Sequence, residues 1–246
     1  MSKTYYRLSD SLVIEVLAAS PDPEKTAWLA MHQCYYENAV SRVTPVPPNY
    51  GEAVVKHLLK GNRGHYSPLE HNAITFAVQG FPHSVMQQYR THRTGISFSV
   101  QSTRYTGMRV VEYIEGHRTF EDVFYLRKPG RKYMGRNGSY EITEDQYELM
   151  HNEVHRAAML YHDLILSGHE PETARYILPG YALRQNFVMT VNARSLMHLL
   201  DLRMKKDAEY ESCVLAELML DALHDWMPNL AEWYRDSRAW IARLSP

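Results

Sequence analysis

The sequence predicts one domain in which strands and helices are mixed. Three observations carry this. Period-two alternation occurs in a few short stretches, apolar residues recur at three- and four-residue spacing over much longer ones, and no repeat or linker divides the chain. With 246 residues, 45% apolar and 22% charged, the chain is long enough to bury a substantial core and is not of disordered composition.

The first strand is expected over 11–18, where Leu12, Ile14 and Val16 alternate with other residues. After a Ser-Pro-Asp-Pro break, 23–38 favours a helix with Trp28, Met31 and Tyr35 at helical spacing. Pro45, Pro47 and Pro48 interrupt the chain before a short helix that carries Val54, Val55, Leu58 and Leu59 and runs to Gly61. A second strand spans 73–79, with Ile74, Phe76 and Val78 on one side. Pro82 suits a helical first turn, and a helix over 82–91 puts His83, Gln87 and Arg90 on one face. Thr94-Gly95 ends it, and the serine-rich segment to Tyr105 reads as loop or irregular strand. Residues 106–141 are expected as an exposed excursion, with a short strand at 123–126. The clearest helix is 144–167, opened by a Thr143/Gln146 capping box and closed by Gly168. Its His151 and His155 have the spacing of metal ligands but no third ligand, so they are expected as surface histidines and no metal site is expected. A short helix from Pro171 to Pro179 carries Arg175. A strand over 183–191, a helix from Asn192 to Arg203, and helices over 208–224 and 228–243 complete the chain.

The formal net charge of −1 argues against a general nucleic-acid binder, so phosphate recognition must be local. Cys34 and Cys213 form no Cys-x-x-Cys pair and suit a reducing compartment. No apolar run resembles a signal peptide or reaches membrane-spanning length, so a cytoplasmic protein with no membrane partner is expected.

One stretch stands apart. Residues 87–105 hold Arg90, His92, Arg93, Arg104, Ser97, Ser99 and Ser102, and no Asp or Glu occurs between Gly80 and Val111. Guanidinium forks with hydroxyls between them suit a phosphate-bearing ligand, whereas a solvated basic face normally carries acids too. Glycine-rich nucleotide loops and a Gly-x-Ser-x-Gly elbow are absent. Arg194 and His198 share one helix face, whereas Arg203, nine residues beyond Arg194, lies about half a turn around. The two arginines therefore serve two ligands, serve two sites in an oligomer, or are surface residues.

Four separated blocks resemble the flavin-dependent thymidylate synthases. They are His65-x-Ser-Pro-Leu-Glu-His71; Arg90 with His92-Arg93 and Ser102-Thr-Arg-Tyr105; Ala174-Arg-Tyr-Ile-Leu-Pro179; and Thr190-Val-Asn-Ala-Arg-Ser-Leu-Met-His198 with Leu202-Arg203. The resemblance implies an α+β fold, an antiparallel sheet flanked by helices. It implies reductive methylation of dUMP to dTMP, with FAD as cofactor, methylenetetrahydrofolate as one-carbon donor and NADPH as reductant, in a homotetramer. By resemblance, Gln87, Arg90, Ser102, Thr103, Arg104, Arg175 and Arg203 bind dUMP. Arg203 stabilises charge on the pyrimidine, and Ser102 is a positioning hydroxyl. Ser67, Glu70, His92, Arg93, Ser99, Asn192, Arg194 and His198 hold FAD. The sequence departs from the family pattern at Thr91, inserted after Arg90, and in having eight rather than seven residues between Arg93 and Ser102. It also departs at Ser99 for Asn, Val100 for Glu and Asp207 for His. The alternatives are a related flavin enzyme that modifies dUMP or dCMP differently, and a non-catalytic nucleotide- or RNA-binding module.

Overall fold

A computed structural model describes residues 3–7, 11–135, 137–205 and 207–239. Strand β1 (Thr4–Arg7) pairs with β2 (Leu12–Ala19), an element the sequence reading missed because Thr-Tyr-Tyr-Arg shows no apolar alternation. Strand β2 leads to α1 (Pro23–Gln33), which stops five residues short of the expected end; α2 (Tyr50–Val54) follows, extended by a π-helical turn over Val55–Leu59. A 3₁₀ turn over Ser67–His71 precedes β3 (Ala73–Pro82), and α3 (His83–Tyr89) starts directly from it. Strand β4 (Ile96–Val100) occupies the serine-rich segment.

Helices α4 (Thr103–Thr106), α5 (Met108–Ile114) and α6 (Phe120–Val123) follow, then a ribbon of β5 (Lys132–Gly135) and β6 (Gly138–Glu141). Helix α7 (Glu144–Leu166) opens with the expected capping box, its Thr143 and Gln146 each bonding the other's backbone N–H. Helix α8 (Pro171–Ala174), β7 (Arg184–Asn192), α9 (Ala193–Arg203), α10 (Tyr210–Trp226) and α11 (Pro228–Ser237) complete the described chain; positions 240–243 of the expected last helix lie outside it.

The main sheet has the order β1-β2-β3-β7-β4, and every pairing is antiparallel. The fold is therefore the α+β one, a sheet flanked by helices. Alternation decides what each face carries. Val16, Phe76, Met189 and Phe98 make one row across four strands and pack into the main core; Ile14, Val78, Phe187 and Val100 make the next. Helix α10 lies against β1 and β2, α3 against β3 and β7, and α9 against β7. The opposite face carries Glu15, Ala77, Val188 and Ser99 in register, beside Thr75, Thr190 and Ser97, and Val188 and Leu17 on it are exposed. Glu24, buried on α1, is accounted for by capping α11: its carboxylate accepts from the Asn229 and Leu230 N–H groups at 2.8 and 3.3 Å.

Residues 106–141 correct the sequence reading. They are not one excursion, because Val110, Val111, Phe120, Val123 and Phe124 build a second apolar cluster with Val154, Ala158, Tyr161, Ala174 and Leu183. The expected strand at 123–126 reduces to a single bridge between Phe124 and Leu183. His151 and His155 border this cluster rather than projecting freely. His151 packs on Phe120, ring centroids 4.2 Å apart, and His155 Nδ1 lies 2.7 Å from the Tyr113 hydroxyl.

The two extra residues of the basic stretch are absorbed in one place. Strand β4 runs against β7 from Ile96↔Val191 to Val100↔Phe187 without a register shift. The slack is taken up before it, in the turn between α3 and β4, where Thr91 Oγ1 donates to Gln88 O at 2.7 Å and Gly95 adopts φ +67°. A Cβ on Gly95 would strike the side chains of Asn192 and Ser195, which cap the start of α9. Gly95→Ala should therefore cost more than the roughly 1–3 kcal/mol expected for forcing a non-glycine residue into this conformation. Gly116→Ala, at φ +80° with open space around it, should cost only that backbone component. Denaturant midpoints of the two variants check the difference.

Candidate functional site

Helix α3 and the segment after β4 meet at a cavity of about 360 Å³, lined by His83, Met86, Arg90, Val100, Gln101, Ser102, Thr103, Arg175, Leu178, Gly180, Leu183 and Gln185. No acidic residue is among them. Two guanidinium groups and two hydroxyls converge there: Arg90 follows the end of α3, Ser102 lies two residues past β4 as the cap of α4, Thr103 opens α4, and Arg175 follows the end of α8. Arg175 Nη1 lies 3.5 Å from Thr103 Oγ1, and Ser102 caps α4 by accepting from the Arg104 N–H at 3.4 Å. Such a pocket is suited to a phosphate monoester, whose oxygens take the guanidinium donors without competition from carboxylates.

The expected dUMP-binding residues divide here. Arg90, Ser102, Thr103 and Arg175 line the cavity, while Gln87, Arg104 and Arg203 do not. Arg104 turns outward into an ion pair with Glu172 and lies 5.5 Å from the Tyr105 ring centroid. Gln87 meets the site through a neighbour, its Nε2 lying 2.8 Å from His83 Nε2. His83 Nδ1 lies 3.0 Å from Gln185 Oε1, and Gln185 Nε2 donates to Gln101 O. An amide oxygen can only accept, so His83 carries its proton on Nδ1 and accepts from Gln87 on Nε2. His83, Gln101 and Gln185 line the cavity without belonging to the four matched blocks, and Val100, noted as standing where the family has Glu, lines it too. His83 was visible as a member of the Gln87–Arg90 face, whereas Gln185 sits near the start of β7, where nothing in its sequence neighbourhood signals a ligand.

Arg203 lies at the far end of α9 in a separate cluster. It donates from Nη1 to Gln88 Oε1 at 3.0 Å and from Nη2 to Gln88 O at 2.7 Å, with His92 Nε2 3.0 Å from Nη2. The His92 and His198 rings meet edge to face at 5.8 Å. Burial, reinforced by Arg203 and then His198, pushes the His92 imidazole down to about 4, so it is neutral at physiological pH and free to accept from Arg203.

Most of the expected FAD residues surround α9. At its start Arg194 forms an ion pair with Glu70 and lies 5.8 Å from the Tyr66 ring centroid, beside the turn that Ser67 opens. Asn192 is committed to the helix cap, its side chain accepting from the Ser195 N–H at 2.8 Å, while Ser195 donates to Thr94 O. His198 is one turn on from Arg194, and Arg203 closes the helix. Arg93 is exposed in the turn before β4, and Ser99 is exposed on the open sheet face. These positions run from Tyr66 and Arg194 at the start of α9 to His198 and His92 further along it.

A sequence profile of the thymidylate synthase complementing protein family matches residues 15–229. A flavin-dependent thymidylate synthase from Haloarcula marismortui is 31% identical over 95% of this chain and 99% of its own length. One from Halobacterium salinarum is 36% identical over 70% of this chain and 71% of its own. Among solved structures, a UMP/dUMP methylase PolB from Streptomyces cacaoi bound with 5-Br dUMP superposes with a TM-score of 0.71 at 24% identity, covering 96% of this chain and 97% of that one. Thymidylate synthase X from Helicobacter pylori with FAD and dUMP gives 0.65 at 21% identity, covering 85% and 92%. At these identities both structures show the shared fold.

The depressed basicity of His92 makes a pH prediction. The unfolded chain protonates this residue near 6.5 and the folded chain near 4, so its contribution to stability is complete above pH 6.5, declines as pH falls towards 4, and changes no further below that. Denaturation midpoints measured between pH 7 and pH 4 should fall more steeply for the wild type than for His92→Gln.

Proposed function

The chain belongs to the flavin-dependent thymidylate synthase family, an enzyme family, and on that premise we propose that it converts dUMP to dTMP with FAD as bound cofactor. Methylenetetrahydrofolate supplies the one-carbon unit and NADPH the reducing equivalents. The observation that carries the reading is the acid-free cavity in which Arg90, Arg175, Ser102 and Thr103 converge, sized for a nucleotide and floored by Met86, Leu178 and Leu183. The names of the matched relatives, and the FAD and dUMP in the Helicobacter pylori structure, support the choice of ligands.

The residues present fit a flavin. The open sheet face beside the basic turn offers the Ser97 and Ser99 hydroxyls, Arg194 and His198 lie on α9 with His92 against His198, and Arg93 stands in the turn before β4. When bound, the flavin supplies the redox chemistry. The chain's own residues bind, orient and balance charge. Arg90 and Arg175 neutralise the nucleotide phosphate, and Ser102 and Thr103 orient it. Arg203 presents a delocalised cation to the uracil carbonyl as negative charge develops there, stabilising the ring when C5 attacks the carbon donor. No cysteine lines the cavity, so pyrimidine activation proceeds without a protein thiol: Cys34 is exposed beside His65, and Cys213 lies on α10.

The same geometry supports a homotetramer. Within one chain Arg203 is not among the residues lining the cavity of Arg90 and Arg175, an arrangement that fits a site to which a neighbouring copy contributes one of the two parts. The open sheet face, with Leu17 50% and Val188 37% exposed, is a surface such a copy can cover. Among the described residues no helix is long and apolar enough to cross a membrane.

A second reading is favoured by the PolB structures and by Val100 where the family usually has Glu: a methylase of the same fold that accepts both UMP and dUMP. Incubation with each nucleotide, followed by product analysis, separates the readings. Exclusive conversion of dUMP to dTMP supports the first, and absence of any FAD-, folate- and NADPH-dependent dTMP overturns it. Arg194→Ala should release FAD on desalting, read as lost visible absorption, while Arg203→Ala should keep FAD and bind dUMP about 10–100-fold more weakly, the usual loss for a charged hydrogen-bond donor. Equal loss of both ligands in both variants would contradict this division.

A further inference from the structure

Gln88 stands between Arg203 and the half-buried carboxylate of Glu209, and its two amide ends are not interchangeable. Its side-chain oxygen accepts from Arg203 Nη1 at 3.0 Å and from Ser212 Oγ at 3.1 Å, while its backbone carbonyl accepts from Arg203 Nη2 at 2.7 Å. Its side-chain nitrogen donates to Glu209. Glu209 also receives the Ser84 hydroxyl at 3.3 Å and lies 3.5 Å from Arg127, which forms a two-pronged pair with Glu211 at 2.8 and 2.6 Å.

We propose that Gln88 is a positioning residue for Arg203, and that Glu209 acts through it by fixing which way the Gln88 amide faces. The proposal rests on Arg203 as a dUMP ligand. An ionised carboxylate has only acceptors, so the amide nitrogen must face Glu209 and the amide oxygen must face the guanidinium. The reverse rotamer would set N–H against N–H at Arg203 and lone pair against lone pair at Glu209. With the oxygen held in place, Gln88 engages both Nη groups of Arg203, and neutral His92 takes a further Nη2 donor. The guanidinium lies 5.6 Å from the Tyr89 ring centroid, which limits its tilt. The Arg203 Nε–H is buried without a hydrogen-bond partner, and the second Nη1 N–H is committed to neither Gln88 nor His92, so two of the five donors remain for a ligand. Three fixed contacts thus aim the donors that remain, the pre-organisation that electrostatic stabilisation of a developing charge requires.

Gln88 and Glu209 differ from residues that merely fill space because their effects must be coupled. The test uses FAD-loaded protein and three variants, Gln88→Met, Glu209→Gln and the double variant. Gln88→Met keeps the volume but removes the side-chain acceptor, and should raise the Kd for dUMP about tenfold with FAD retained. Glu209→Gln lets the amide turn either way and should raise it about threefold, and the double variant should bind no more weakly than Gln88→Met alone. Unchanged dUMP affinity in Gln88→Met, or losses that simply multiply in the double variant, overturns the proposal. If Gln88→Met does not fold, Glu209→Asp against Glu209→Gln decides: the carboxylate should restore affinity, and failure to restore it counts against the proposal. Ligand-free crystal structures of wild type and variant read the guanidinium position directly. A wild type that binds no dUMP overturns the functional reading. The proposal itself still stands if the guanidinium has shifted in the variant crystal and falls if it has not.

Discussion

Strand β7 is the constraint on which the rest of the structure depends. It is paired along both edges, with β3 on one side and β4 on the other, so its register fixes theirs. Because side chains alternate, a one-residue slip would turn Phe187, Met189 and Val191 out of the core and bring Val188 and Thr190 in. The same slip would carry Ser97 and Ser99 into the apolar layer. Register and ligand chemistry are thus one specification: the pattern that buries Phe98 against Phe187 is what leaves the serines on the open face.

The end of β7 transmits this order to the helices. Asn192 closes the strand, pairs with Ala73, and caps α9 with its side chain, while the chain at Gly95 passes close enough to exclude a side chain. Helix α9 therefore leaves the sheet in a set direction, with Arg194 near the Ser67–His71 turn and Arg203 eleven positions past the cap, against the end of α3. The charge logic follows from that direction. Arg194 and Arg104 find carboxylates, Glu70 and Glu172, on segments remote in sequence. Arg203 is held instead by amide, carbonyl and imidazole, none of which cancels its charge, and burial lowers its basicity only in part. A cation held by neutral groups keeps its field available to a ligand.

Much of this was legible in the residues. The alternation at Leu12–Val16 and Ile74–Val78 located two strands, a third was placed over 183–191, and the Thr143/Gln146 pair located the start of the longest helix to the residue. Strand β4 carries the same alternation, Ile96, Phe98 and Val100 between Ser97 and Ser99, yet its polar surroundings made the segment read as loop or irregular strand. Strand β1 was hidden because its place comes from pairing with β2. Residues 108–123 read as an excursion because helices of four to seven residues are too short to show periodicity, and their burial against α7 is a long-range fact.

The sequence by itself determined the chemistry on offer: an acid-free run of arginines and hydroxyls, the spacing of Arg194, His198 and Arg203, and the four blocks that identify the family. These are local patterns, and residue type and interval suffice to state them. Only the tertiary structure decided which of those groups meet. It set Arg90 and Arg175 around one cavity, turned Arg104 away to Glu172, and placed Arg203 against Gln88 and His92, with Glu209 behind them. The reason is that convergence depends on sheet register and helix direction. Both are set by burying side chains between elements more than a hundred residues apart, and no interval along the chain encodes that distance.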